Sequence, residues 1–162
     1  EISMKNIRKT VLLTAVLILI LTACGSVLVH DTVSETLGID VSSGNEISNY
    51  DTHSGNGDGT SCVILRFDDD SVSEEIRNDK NWKKFPLDET AQILVYGISD
   101  ETGQTGPYLN DDEGNPLVPE IQNGYYLLID RNAGKDGPHG TNVTLGLYDT
   151  DTDMLYYCKL DT

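Results

Sequence analysis

The residues best placed to do chemistry are Asp51, His53 and Asp58, gathered in the run Asp51-Thr52-His53-Ser54-Gly55-Asn56-Gly57-Asp58-Gly59. The alternating glycines let backbone amides approach a ligand while two carboxylates and an imidazole converge on it, the equipment of a small hydrolase or a metal-binding loop. A metal site takes three or four N, O or S ligands. Only these three are local, and no second histidine stands at His-x-x-x-His or Glu-x-x-His spacing. A tight hairpin with an Asx-type turn accounts for the same residues and is the preferred reading.

Other acidic runs fail for definable reasons. Asp149-Thr150-Asp151-Thr152-Asp153 imitates the first half of a calcium loop, but Met154 stands where the sixth-position glycine belongs and Leu160 where the bidentate glutamate belongs. A polar hairpin turn is the expectation there. Asp68-Asp69-Asp70 and Asn110 to Asn115 hold carboxylates without the spacing of a cage. No Gly-x-Ser-x-Gly elbow and no nucleotide-binding glycine motif between a strand and a helix is present. His139 reads as a loop histidine and His30 as part of a tether. With so many acids, any glycosidase-type pair is uninformative.

Positioning these residues falls to short elements. Asn45 to Thr52 and Thr60 to Phe67 read as strands flanking the glycine loop, with Val63, Leu65 and Phe67 on one face and Cys62, Ile64 and Arg66 on the other. Ser71-Val72-Ser73-Glu74 fits a capping box opening a short helix to about Asn78. Asp88 can cap a second helix through Tyr96 that stops at Gly97; strand is the alternative for 91–96. Residues 98–123, rich in Gly, Pro, Asp and Asn, read as a long surface loop. Tyr125 to Arg131, Thr141 to Asp149 and Met154 to Leu160 read as strands, the last two a hairpin. Two strands, two short helices and a three-strand meander predict an α+β fold whose antiparallel sheet of about five strands is covered on one face.

The chain carries 27 acidic and 11 basic residues, a formal net charge of −16. That balance argues against nucleic acid and against an electrostatic grip on anionic lipid, both of which need Lys/Arg clusters. Lys80, Lys83 and Lys84 around Trp82 form the one basic cluster, expected as a solvated loop.

The N-terminus carries an address. Lys5, Arg8 and Lys9 follow Met4, the expected start; Val11 to Leu21 is almost wholly apolar, and Leu21-Thr22-Ala23-Cys24 follows. This order resembles the bacterial lipoprotein signal peptide, with its hydrophobic residue three before the cysteine and small residues next to it. The resemblance implies cleavage after residue 23, a covalent diacylglycerol on Cys24 and no other cofactor. It implies a lipid-anchored protein on the outer face of the cell membrane. An uncleaved membrane helix, Val11 to Val29, is the alternative, and it too places the remainder outside. Without residues 1–23, three bases and one acid are lost, leaving 8 against 26. Residues 24–44 would be the lipidated end and tether, with a helical turn around Thr32 to Leu37 ending at Gly38, and 45–162 one extracytoplasmic domain. In that compartment Cys62 and Cys158, both within expected strands, could form a disulfide or remain two buried thiols.

Four further stretches are similar to a group of small lipoproteins of Gram-positive bacteria: Asp51 to Gly59, Pro86-Leu87 to Tyr96-Gly97, Pro119 to Tyr126, and Leu147 to Tyr157. Members of that group have a second histidine and an aromatic residue in the glycine loop, where this chain has Asn56 and Gly57, which weakens a metal role. The group implies no activity. The expectation is therefore a non-enzymatic, membrane-held binding or accessory module of the cell envelope, with exposed Tyr108, Tyr125 and Tyr126 near the long loop. Its partners would be membrane lipid through the anchor and a basic protein, a peptide or an envelope component. The alternative is a small envelope hydrolase or metal-binding protein using Asp51, His53 and Asp58.

Overall fold

The computed structural model describes residues 28–101, 103–133 and 141–162. It divides into two compact units, one ending at Ser42 and one running from Ser43 to Thr162. In the first, helix α1 covers 28–37 and ends at Gly38, whose φ of 72° and amide bond to the Ser34 carbonyl, 2.9 Å, close the last turn. This helix starts earlier than the expected turn at Thr32, and Val33 and Leu37, one turn apart, are buried. No helix among the described residues is long and apolar enough to cross a membrane.

The second unit is an antiparallel sheet with helices and connecting segments laid on it. Its strands are β1 (Asn45–Asp51), β2 (Gly59–Arg66), β3 (Lys83–Lys84), β6 (Gly124–Asp130), β7 (Asn142–Asp149) and β8 (Met154–Asp161), in spatial order β1-β2-β8-β7-β6-β3. The α+β reading holds, with six strands in the main sheet because Lys83 and Lys84 pair with Tyr126 and Tyr125. The meander β6-β7-β8 is present, and β8 also pairs with β2 in full register, Cys62 opposite Cys158. Those two cysteines are joined as a disulfide between adjacent strands, 96 residues apart in sequence.

The sheet is covered on both faces, not one: β7 from Val143 to Asp149 is buried throughout, with no alternation. On one face Cys62, Tyr126, Leu145, Leu147, Tyr156 and Cys158 pack with Ala91, Leu94 and Val95 of helix α3 (Glu89–Val95) and with Leu109, Val118 and Ile121. On the other, the ring of Tyr148 meets Phe67 at 6.4 Å between centroids. Its hydroxyl donates to Asp153 and lies beside Asp70 and Ser73 at the start of α2 (Ser71–Asn78). Burial, then the Asp153 bond, push the Tyr148 phenol far above its ordinary range.

Two local expectations change. The capping box does not form: α2 begins at Ser71 with Asp70 at the N-cap making no side-chain cap bond, while Asp69 accepts from the Ser71 amide and hydroxyl. At α3 the Asp88 cap is made, its Oδ1 accepting from the Ala91 amide at 3.0 Å. Residues 98–123 are not simply surface. They contain a small hairpin, β4 (Ile98–Asp100) with β5 (Gly103–Thr105), and then supply Leu109, Val118 and Ile121 to the core. Sparse apolar residues among turn formers carry no period from which that could be read.

Candidate functional site

The glycine loop positions His53 through backbone chemistry. The Thr52 amide donates to the Thr60 carbonyl at 3.0 Å, and its hydroxyl accepts from the Thr60 amide, so β1 and β2 stay paired up to the loop. The Asp51 carboxylate accepts from the His53 amide at 2.8 Å in an Asx turn. Gly59 lies against the His53 backbone so closely that a Cβ would sit 2.6 Å from its Cα. A glycine at that point is what lets the histidine lie over the end of the sheet.

There His53 is held at both ring nitrogens. Nδ1 is 2.6 Å from Asp51 Oδ1, and Nε2 is 2.9 Å from Asp161 Oδ2. The other oxygen of Asp161 meets Arg131 Nη2 at 2.7 Å, and that nitrogen also donates to the Val143 carbonyl at 3.0 Å. The chain Asp51–His53–Asp161–Arg131 thus joins the β1–β2 loop to the ends of β8 and β6. Burial pulls the imidazole pKa down, but the hydrogen bonds to Asp51 and Asp161 and their charges outweigh it, and the net direction is up. Asp51 is held below the usual carboxylate range, first by the His53 amide bond and then by the ring. Carboxylates can only accept, so the arrangement is satisfied by an imidazolium donating from both nitrogens.

Asp58 does not join them. Its Oδ2 accepts from Asn56 Nδ2 at 3.0 Å and its carbonyl from the Ser54 amide at 3.2 Å, so it closes the loop tip upon itself. The expected trio is therefore a pair, completed by two residues the sequence reading did not select. Asp161 sits opposite Gly59 in the β2–β8 register. That pairing is the only signal that could have found it, and it is not local. An imidazolium with both N–H groups engaged has no lone pair for a base or a metal ligand. Among the described residues, no group of three or more His, Cys, Asp or Glu side chains is arranged to hold a metal ion. Cys24 and His139 lie outside the described residues.

The remaining acidic runs serve their own turns. Asp149 accepts from the Asp151 amide and the Thr152 hydroxyl, and Asp111 from the amides of Glu113 and Asn115. Of the tyrosines expected to be exposed, Tyr108 is, at 50%, whereas Tyr126 is buried at 2% and its hydroxyl oxygen accepts from the Asp88 amide.

A second feature is a groove of about 470 Å³, open to solvent, between the cis-linked Phe85-Pro86 and Leu87 on one side and Glu120, Ile121 and Gln122 on the other. Gln92 and Tyr96 of the α3 end lie along it. Tyr96 braces its wall: the hydroxyl donates to the Pro119 carbonyl at 2.8 Å and accepts from the Ile121 amide at 3.0 Å. Phe85 stands edge-on to Tyr126 at 5.9 Å. A lining that mixes apolar side chains with two carboxamides and a single carboxylate suits a ligand with an apolar body and a hydrogen-bonding or cationic tip.

No protein-family model matches the chain, and no curated protein or solved structure is significantly similar to it.

Proposed function

We propose that this protein is a lipid-anchored, extracytoplasmic binding module of the cell envelope, not an enzyme, and that its ligand seat is the groove between Phe85-Pro86-Leu87, the end of α3 and residues 120–122. The observation that carries the reading is the contrast between its two candidate sites. The His53 cluster is saturated by its own members, whereas the groove presents a braced lining of mixed apolar and polar side chains open to solvent. Glu120, in a chain of net charge −16, favours a ligand segment carrying a positive charge beside an apolar residue. A basic peptide is the partner class of best fit.

Two measurements test this. Growth with labelled palmitate should label the wild-type protein and leave Cys24→Ala unlabelled; equal labelling would remove the anchor. Titration with a short Lys/Leu peptide should perturb amide signals at Leu87, Gln92 and Ile121, and Glu120→Gln should weaken binding by about three- to tenfold. An acidic Glu/Leu peptide binding equally well would sink the groove reading.

A further inference from the structure

Cations are scarce in this chain, and most described ones have a neighbour. Lys83 Nζ is 2.8 Å from Asp88, Arg131 pairs with Asp161, Arg66 lies beside Asp68, and Lys159 stands 5.3 Å over the Tyr157 ring. Arg77 and Lys84 are different. Like Lys80, neither makes an ion pair among the described residues, in a chain with 27 acids, but these two line one concavity of about 350 Å³.

The two cations come from separate elements, Arg77 from the last turn of α2 and Lys84 from β3. Their placement is fixed by backbone. Lys84 is registered opposite Tyr125, and the Phe85 amide donates to the Gly124 carbonyl at 3.0 Å. Gly124 itself admits no side chain, since a Cβ would sit 2.1 Å from the Tyr148 carbonyl oxygen. On the far wall the β7–β8 turn is tied down: the Thr150 amide and hydroxyl both donate to the Asn123 carbonyl at 3.1 Å. Asp151, the one acid of the concavity, already accepts from Asn123 Nδ2 at 2.9 Å. Two like charges lining one concavity repel each other, and an anion bound between them converts that repulsion into attraction on both sides. A guanidinium fork together with a point-like ammonium matches the tetrahedral oxygens of a phosphate group.

We infer that this concavity is an oxyanion seat for a phosphate ester, separate from the groove and independent of its reading. The net charge of −16 repels an extended anionic surface, so the occupant is a compact phosphate that enters between Arg77 and Lys84. The test is an amide-resolved NMR titration of the full chain in neutral detergent with glycerol phosphate, ionic strength held constant with sodium chloride. Saturable shifts at Lys84, Gly124, Tyr125 and Asp151 are expected. Arg77→Gln and Lys84→Gln should each weaken binding by about fivefold or more, with Lys80→Gln as an unaffected control. Spectra of the variants with wild-type dispersion separate lost binding from lost folding. A second arm adds vesicles of phosphatidylcholine with phosphatidylglycerol, which should not displace glycerol phosphate. Shifts reproduced by chloride, absence of saturation, wild-type affinity in both variants, or displacement by the vesicles would each overturn the assignment.

Discussion

Replacing His53 by alanine should cost stability in a pH-dependent way, with a sign set by the cluster around it. The ring makes two contacts with carboxylates. The Asp51 arm is open to solvent, with that side chain 59% exposed, and exposed ion pairs of this kind contribute about 0–1 kcal/mol. The Asp161 arm is more enclosed, at 21% and 16% exposure for the two side chains, and a hydrogen bond between charged groups there contributes about 1–2 kcal/mol. Asp161 keeps Arg131 when the ring is removed, so no buried charge is orphaned. The total is about 2 kcal/mol. Because the folded His53 pKa is raised, this stabilisation is fully present below the unfolded value of about 6.5 and is lost as pH rises through the folded value. Asp51 sets the other limit. Its folded pKa is lowered, so its share is present above about pH 3.9 and lost as pH falls through the folded value. The cluster is therefore tightest from about pH 4 to about pH 6.5. Urea unfolding of wild type and His53→Ala at pH 5.5 and pH 8.5 measures it, since other titrating groups cancel in the difference. The gap should be about 2 kcal/mol at the lower pH and half that or less at the higher, where the neutral ring retains one donor. A gap that is constant, or that widens with pH, would refute the doubly donating imidazolium.

Other perturbations have defined outcomes. Converting Cys62 and Cys158 together to alanine should destabilise by about 4–5 kcal/mol on the chain-entropy model, read as a lower urea midpoint, because the bridge closes a loop with a sequence separation of 96 residues; unchanged stability would contradict a disulfide that restricts the unfolded chain. Tyr96→Phe should cost about 1–2 kcal/mol and speed hydrogen exchange at the Ile121 amide, which loses its 3.0 Å acceptor. Gly59→Ala, forced against the His53 backbone at 2.6 Å, should shift the His53 ring signals and abolish most of the pH-dependent gap; ring signals identical to wild type would contradict that packing.

The sequence by itself determined what local chemistry determines. Alternating apolar residues marked β2, and apolar runs bounded by turn formers marked β6, β7 and β8. Asp88 and Gly97 bounded α3, and alternating glycines marked the loop that carries His53. Each depends on a few neighbouring residues and on backbone preferences that need no distant partner. The tertiary structure decided which side chains meet. His53 is paired with Asp161 across 108 positions, and Asp58, five residues away from His53 in sequence, is turned elsewhere. The cause is the β2–β8 register, in which Gly59 faces Asp161; register follows from burying both faces of the sheet at once, a property of all its strands together. The same holds for the groove and for the space between Arg77 and Lys84, whose walls come from elements with no shared sequence pattern. A glycine loop that reads as a catalytic candidate becomes, once its strand is paired, one half of a latch.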